Sequence, residues 1–99
     1  MGFRFHAEAV KDLNVIYDTI AEHDLRAAAR MVETLYRACR FLGENPDGGR
    51  RRSDLHPDLR SFSVGEYLLL YRVDGRDAEV VFVAHGRRDL AALVEREER

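Results

Sequence analysis

The sequence has only one cysteine, Cys39, and no long run of apolar residues. A single cysteine cannot form a disulfide within the chain, and it cannot supply the several thiolates of a cysteine-rich zinc site. No apolar run approaches the ~20 residues that a membrane-spanning helix needs. The first residues, from Met1 to His6, also lack the hydrophobic region of a secretory signal. These absences predict a cytoplasmic protein without a membrane segment.

The common signatures of catalysis are missing as well. The chain has no G-x-x-x-x-G-K-[ST], no G-x-G-x-x-G, no H-E-x-x-H and no G-x-S-x-G. Nucleotide hydrolysis, dinucleotide redox chemistry, zinc proteolysis and hydrolase-type acyl transfer are therefore disfavoured. No cofactor is predicted. The histidines do not show the close spacing of metal ligands, so no metal site is predicted either; they are His6, His23, His56 and His85.

The charge of the chain is nearly balanced, with a formal net charge of −2. This value argues against a general nucleic-acid-binding protein. The charge is uneven, however, because residues 1–49, 50–88 and 89–99 carry −2, +2 and −2. An anionic partner would meet the middle segment. The chain also lacks a convincing helix-turn-helix, so no sequence-specific DNA binding by this chain itself is predicted.

The first half of the chain predicts a short strand and a helical hairpin within one domain, residues 1–99. Phe3, Arg4 and Phe5 alternate as a strand does, and a first helix is predicted from Glu8 to about Glu22. Its apolar face is Val10, Leu13, Tyr17 and Ile20.

A second helix follows at once, with Asp24 as its predicted N-cap and Gly43, before Asn45 and Pro46, as its end. So short a connection favours an antiparallel helical hairpin over a sheet. The apolar face of the second helix is Ala28, Met31, Val32, Leu35, Ala38, Cys39 and Leu42.

The second half of the chain predicts three antiparallel strands within residues 58–90. The pairs Gly65-Glu66 and Asp74-Gly75 offer the two tight turns. Residues 47–53 are predicted to be a loop, Asp89 caps a last short helix, and residues 95–99 are expected to fray. The predicted fold class is therefore α+β, with the order β-α-α-β-β-β-α and a helical hairpin on a mainly antiparallel sheet.

Two residues of the meander, Arg60 and His85, are the main candidates for chemistry. Arg60 has two open readings: it pairs with a carboxylate such as Asp58 or Glu66, or it holds a phosphate with its guanidinium group. His85 either bonds to the backbone at a strand end or acts as a general acid or base. Whether the two side chains meet depends on the register of the strands.

The ordered motifs L-R-S-F-S-V-G-E-Y-L-L-L-Y-R-V and V-A-H-G-R-R-D resemble the ParE branch of the ParE/RelE toxin superfamily. The resemblance covers nearly the whole chain. It implies the toxin of a bacterial type II toxin–antitoxin pair, of the plasmid-stabilisation type, and a helical hairpin packed against an antiparallel sheet. It also implies a ParD-like antitoxin that wraps the toxin in a hetero-oligomer. The residues that carry it are Ala9, Asp12, Leu13, Ala28, Asn45, Pro46, Gly48, Arg60, Tyr67, Tyr71, Arg72, His85, Gly86, Arg87 and Asp89.

The resemblance implies one of two activities. ParE-like members inhibit DNA gyrase by binding, whereas RelE-like members are ribosome-dependent mRNA endoribonucleases. In this chain the only lysine is Lys11, on the polar face of the first helix, and Gly86 follows His85 where the nuclease branch is expected to carry an aromatic acid–base residue. We therefore expect gyrase inhibition. The alternatives are a nuclease that relies on Arg60 and His85, and a degenerate toxin that retains only antitoxin binding.

Two candidate surfaces follow from this reading. An amphipathic antitoxin helix is expected to bury its apolar face in a groove of the toxin, whereas basic side chains are expected to contact the target. The antitoxin-groove candidates are Val10, Leu13, Tyr17, Leu35 and Leu42. The toxic-surface candidates are Arg60, Arg72, His85, Arg87 and Arg88.

Overall fold

A single mixed sheet organises the structure, a computed structural model that describes residues 2–97. The strand order is β1-β5-β4-β3-β2, in which β1 and β5 are parallel and the other neighbours are antiparallel. The predicted fold class is therefore confirmed. The elements are β1 Phe3–Phe5, α1 Ala7–Ala21, α2 Leu25–Glu44, a 3-10 helix Pro46–Gly48, β2 Arg50–Arg51, β3 Arg60–Val64, β4 Tyr67–Asp74, β5 Asp77–His85 and α3 Leu90–Glu97.

The short strand β2 lies in the segment that was predicted to be a loop. Arg50 and Arg51 pair with Ser61 and Arg60 at the outer side of β3. The prediction was wrong because two consecutive arginines show neither alternation nor apolar residues. Only the neighbouring strand makes this segment extended.

Glycine makes both hairpin turns possible. Gly65 has a φ of +59° and Gly75 a φ of +64°, a backbone region that side-chain-bearing residues rarely adopt. The first turn lies at the predicted residues. The second lies one residue later than predicted, because Asp74 is still in β4 and pairs with Asp77.

The first helix is rotated relative to its predicted orientation. Its buried residues are Ala9, Leu13 and Ile16, whereas Val10 and Tyr17 are 45% and 37% exposed. The buried residues and the predicted apolar face both have helical spacing, so periodicity alone could not show which of the two faces the sheet. Tight packing of α1 against β5 favours the stripe that contains the small Ala9.

The second helix buries its predicted face. The side chain of Asp24 accepts a hydrogen bond from the Ala27 N–H at 3.0 Å, as expected for an N-cap. Gly43 does not end the helix, which continues to Glu44. A Cβ atom on Gly43 would lie 2.8 Å from the carbonyl carbon of Gly2, so this glycine lets α2 approach the chain just before β1.

Side chains pack on both faces of the sheet. The hairpin covers one face, where Leu35, Leu42 and Tyr71 are completely buried. The other face is covered by α3 and the loop before β3, with Leu59 and Val94 in its core. Helix α3 is capped by Asp89 as predicted. Its helical part includes residues 95–97, which were expected to fray; residues 98 and 99 lie outside the described residues.

Candidate functional site

Arg60 is bound to the segment that precedes β2. Its guanidinium group donates to the Gly49 carbonyl oxygen at 3.0 Å and lies 3.4 Å from a carboxylate oxygen of Asp47. Neither Asp58 nor Glu66, the partners considered from the sequence, fills this role. These contacts hold the segment before β2 in place. Since the Arg60 side chain is only 20% exposed, it offers little surface to a ligand.

His85 lies at the end of β5 with its ring bonded to the following turn. The Arg87 backbone N–H donates to His85 Nδ1 at 3.1 Å, which is the structural one of its two predicted roles. The other ring nitrogen lies 3.7 Å from a carboxylate oxygen of Glu66. The ring also contacts Tyr67 edge to face, with the ring centroids 5.6 Å apart.

The strand register keeps Arg60 and His85 apart. Arg60 is opposite Tyr71 on β4, whereas His85 is opposite Tyr67 on the same strand. A rise of roughly 3.3 Å per residue puts these two positions about 13 Å apart. Arg60 and His85 therefore cannot share one proton-transfer site in this conformation, because a catalytic pair needs hydrogen-bond reach.

Arg72 belongs to a charged row across the sheet. Its Nε atom donates to Glu79 at 2.6 Å, and Arg4 donates to the other oxygen of Glu79 at 3.3 Å. Burial raises the pKa of Glu79, but the hydrogen bond to Arg72 and the charges of both arginines outweigh it, so the pKa lies below its usual value. Arg72 remains half exposed beside a cavity of about 300 Å³ under α3.

The remaining basic candidates, Arg87 and Arg88, are exposed in the turn between β5 and α3. They lie at the His85 end of β5, whereas Arg60 and Arg72 lie at the other end of the meander. The five predicted toxic-surface residues thus lie at two ends of the meander and do not form one patch.

An apolar groove runs between α1 and α2. Its volume is about 170 Å³, and Val10, Leu13 and Tyr17 line it as expected, together with Tyr36. Leu35 and Leu42, which were expected to share this surface, are instead completely buried in the core beneath the hairpin. This part of the expectation was wrong, because the α2 stripe that the sequence shows faces the sheet.

A second cleft, which the sequence did not indicate, separates α1 from the last part of β5. Its volume is about 430 Å³, and its walls include Val15, Tyr67 and His85. Within it the Val83 N–H donates to a carboxylate oxygen of Asp12 at 2.9 Å. Burial raises the pKa of Asp12, against the lowering effects of this bond and of the Arg88 charge. The sequence indicated Asp12 only through the family resemblance and not this bond, since a contact between residues 71 positions apart leaves no local signal.

Cys39 lies in the core, 1% exposed, and burial raises its pKa to about 12. We expect the folded protein at pH 8 to resist a thiol-specific reagent, because the reactive thiolate is suppressed and inaccessible. Absorbance of the released thiol product measures the rate, and protein in denaturant should react completely. Reaction of the folded protein at the rate of a free thiol would contradict the buried position.

Other kinds of site find no support in the described chain. Within residues 2–97, no three histidine, cysteine, aspartate or glutamate side chains come together in a way that could hold a metal ion. None of the helices in that range is long and apolar enough to cross a membrane. The groove between α1 and α2 and the exposed basic side chains therefore remain the candidate sites within residues 2–97.

The fold defines a class of small α+β proteins in which a helical hairpin packs on a mixed five-stranded sheet. It matches a chain of a structure described as the chromosomal ParDE toxin–antitoxin system from P. aeruginosa, with a TM-score of 0.74. The match covers 86% of this chain and 95% of that chain at 19% identity. At this identity the likeness shows the fold alone.

Sequence comparison identifies the family. The model of the family described as the ParE toxin of the type II toxin–antitoxin system, parDE, matches residues 3–90. Toxin ParE3 of Caulobacter vibrioides is 34% identical over 82 residues, which are 82% of each chain. This chain therefore belongs to the ParE toxin family of type II toxin–antitoxin systems.

Proposed function

We propose that this protein arrests growth by binding and inhibiting DNA gyrase, and that a ParD-like antitoxin neutralises it by occupying the groove between α1 and α2. The observation that carries the antitoxin part is the groove itself. Val10, Tyr17 and Tyr36 are 45%, 37% and 38% exposed there, although each is a large apolar or aromatic residue.

An amphipathic helix is the natural occupant of such a groove. Helix-in-groove recognition buries apolar anchors spaced three and four residues apart in a channel between elements of the partner. The rotation of α1 favours this mode, because it leaves Val10 and Tyr17 at the surface while Leu13 forms the floor. The ParDE description of the matched structure supports an antitoxin of the ParD kind.

The position of Arg60 and His85 favours inhibition by binding over RNA cleavage. A ribonuclease must hold the scissile phosphate and move the 2′-hydroxyl proton at one place. The two side chains lie at opposite ends of the meander, and Arg60 is occupied by Asp47 and Gly49. Lys11, the only lysine, pairs with Glu8 on α1.

Supercoiling of relaxed plasmid by purified gyrase tests the gyrase part. We expect titration of this protein to reduce supercoiling, because the bound toxin blocks the enzyme, and equimolar antitoxin to restore it. An excess of folded protein that leaves gyrase fully active would contradict the proposal.

Cleavage of mRNA on ribosomes, followed by primer extension, is the companion assay. We expect no cleavage, so cleavage that requires His85 would favour the nuclease alternative. Inertness in both assays, together with tight antitoxin binding, would identify a degenerate toxin.

Two matched variants locate the contact with gyrase. Arg72→Ala removes a basic side chain at one end of the meander, and Arg87→Ala removes one at the other end. The variant that loses inhibition shows which end contacts gyrase.

A further inference from the structure

A polar side chain lies in the middle of the apolar groove between α1 and α2. Val10, Asn14 and Tyr17 line the groove and follow one another at four- and three-residue spacing, so they form one row along α1. The row is about 10 Å long at 1.5 Å per residue. Val32 and Tyr36 of α2 line the groove from the other side. A helix that buries its apolar face here therefore also covers the amide of Asn14.

This amide has no partner in the part of the chain that the structure describes. Asn14 is exposed and makes no hydrogen bond there, whereas the only other asparagine, Asn45, donates to the Phe41 carbonyl oxygen at 3.0 Å. An amide offers two donor hydrogens and an acceptor oxygen, and water can satisfy them while the groove is open. Once the groove is filled, an amide without a partner weakens binding. The occupant therefore needs a polar group at this position.

The lining of the groove favours a neutral group over a charged one. A carboxylate or an ammonium group brought into the groove would lose its water without gaining a counter-ion. A second amide, by contrast, donates to the Asn14 oxygen and accepts from the Asn14 nitrogen, so that both groups are paired. The lining residues among residues 2–97 are all without formal charge: Phe5, Val10, Leu13, Asn14, Tyr17, Val32 and Tyr36.

We infer that Asn14 selects an antitoxin helix that carries an asparagine or a glutamine between its apolar anchors, and that the two amides pair across the groove. This inference rests on the proposed function, because it assigns the chemistry of the antitoxin at one position. The apolar walls supply most of the affinity. The amide pair sets which position of the helix lies in the middle of the groove, as a buried asparagine fixes the register of a coiled coil.

Calorimetric titration of Asn14→Leu with the cognate antitoxin tests the inference. The proteins are made by cell-free synthesis, which growth arrest does not limit. Leucine branches at Cγ as asparagine does and favours a helix, so the fold should persist. We expect the affinity to fall about ten-fold or more, because the antitoxin amide is then buried without a partner. Asn14→Gln keeps an amide and is expected to lose less.

Thr34→Val is the matched control. It also replaces an exposed polar group by an apolar one, but Thr34 lies on α2 outside the groove, and its hydroxyl donates to the Arg30 carbonyl oxygen of the same helix. This variant should bind the antitoxin as the unaltered chain does. Circular dichroism of each variant identifies unfolded chains.

Substitutions in the antitoxin identify the partner of Asn14. Each asparagine and glutamine of the antitoxin is replaced by leucine in turn, and each variant is titrated into the unaltered toxin and into Asn14→Leu. We expect one antitoxin variant to bind the unaltered toxin weakly and Asn14→Leu nearly as tightly as the original pair binds. Two apolar side chains then replace two amides, which leaves no polar group unpaired.

Three results would overturn the inference, and they differ in what they say of the groove. If Asn14→Leu binds normally while Val10→Asp, at an apolar position of the same row, binds weakly, the antitoxin occupies the groove but Asn14 does not select it. If no antitoxin variant restores binding to Asn14→Leu, the partner is not an amide. If neither toxin variant loses affinity, the antitoxin lies elsewhere and the proposed use of the groove is wrong as well.

Discussion

Val10→Asp is expected to weaken antitoxin binding about 30-fold or more. An apolar anchor in the centre of a groove costs about 2 kcal/mol or more when it is lost, and a tenfold change in affinity corresponds to about 1.4 kcal/mol. An aspartate also brings a charge that the antitoxin helix would have to desolvate. Since Val10 is 45% exposed in the free toxin, the fold itself should change little. Calorimetric titration with the cognate antitoxin measures the loss.

Leu25→Asp provides the control for this prediction. Leu25 is another exposed apolar residue, at 66%, but it begins α2 and does not line the groove. An aspartate in the first turn of a helix is electrostatically favourable, so this variant should remain folded and bind normally. Equal affinities of Val10→Asp and the unaltered chain would place the antitoxin outside the groove. Equal losses in both variants would point to a general effect of added negative charge.

Much of the fold followed from local patterns in the sequence. The caps at Asp24 and Asp89, the apolar face of α2 and the first hairpin turn at Gly65 each depend on residues close in sequence, and all four lie where they were predicted. The rotation of α1 did not follow. Two apolar stripes overlap in that helix, and only packing against β5 selects between them.

The candidate site was harder to predict because it depends on register and on distant contacts. The sequence identifies Arg60 and His85 as polar residues at strand ends, but the pairing of β4 with both neighbours sets them at opposite ends of the meander. The partner of Arg60 is Asp47, which lies in a short 3-10 helix that the pattern of apolar residues does not predict. Asp12 and Val83 are likewise joined only by the tertiary fold.

The position of Arg60 changes how its variants should be interpreted. Arg60 and Tyr71 hold the same segment, which leads from α2 into β2: Arg60 binds the Gly49 carbonyl, and the Tyr71 hydroxyl accepts from the Gly49 N–H at 2.8 Å. Loss of toxicity in Arg60→Ala therefore calls for a stability measurement before a contact with gyrase is assigned. Arg72, half exposed on the other face of the sheet, is better placed to report on the target surface.

Tyr71→Phe is expected to destabilise the protein by about 1–3 kcal/mol, because it leaves buried polar groups without partners. The hydroxyl of this fully buried tyrosine links the Gly49 N–H to the Pro46 carbonyl oxygen, which it donates to at 2.7 Å. Burial raises the pKa of Tyr71, against the opposing effects of Gly49 and Arg60. The hydroxyl therefore stays protonated and remains a donor. Urea unfolding followed by circular dichroism measures the change.

Gly49→Ala is expected to cost at least as much, because an added Cβ would lie 2.5 Å from the Tyr71 hydroxyl oxygen and 2.9 Å from the Ser61 carbonyl oxygen. Overpacking of this kind costs about 1–3 kcal/mol, and each kcal/mol lowers the Tm of a domain of this size by roughly 4–8 °C. Gly2→Ala, whose Cβ would meet nothing closer than 4.0 Å, serves as the control and should unfold as the unaltered chain does.

The double variant decides whether the two residues act as one contact. In the Tyr71→Phe background the hydroxyl is gone, so Gly49→Ala should cost less than it does alone, by about 0.5–3 kcal/mol for residues in direct contact. Part of the cost should remain, because the contacts to the Tyr71 ring at 2.6 Å and to Ser61 persist. Strictly additive costs would contradict a direct contact between the Tyr71 hydroxyl and residue 49.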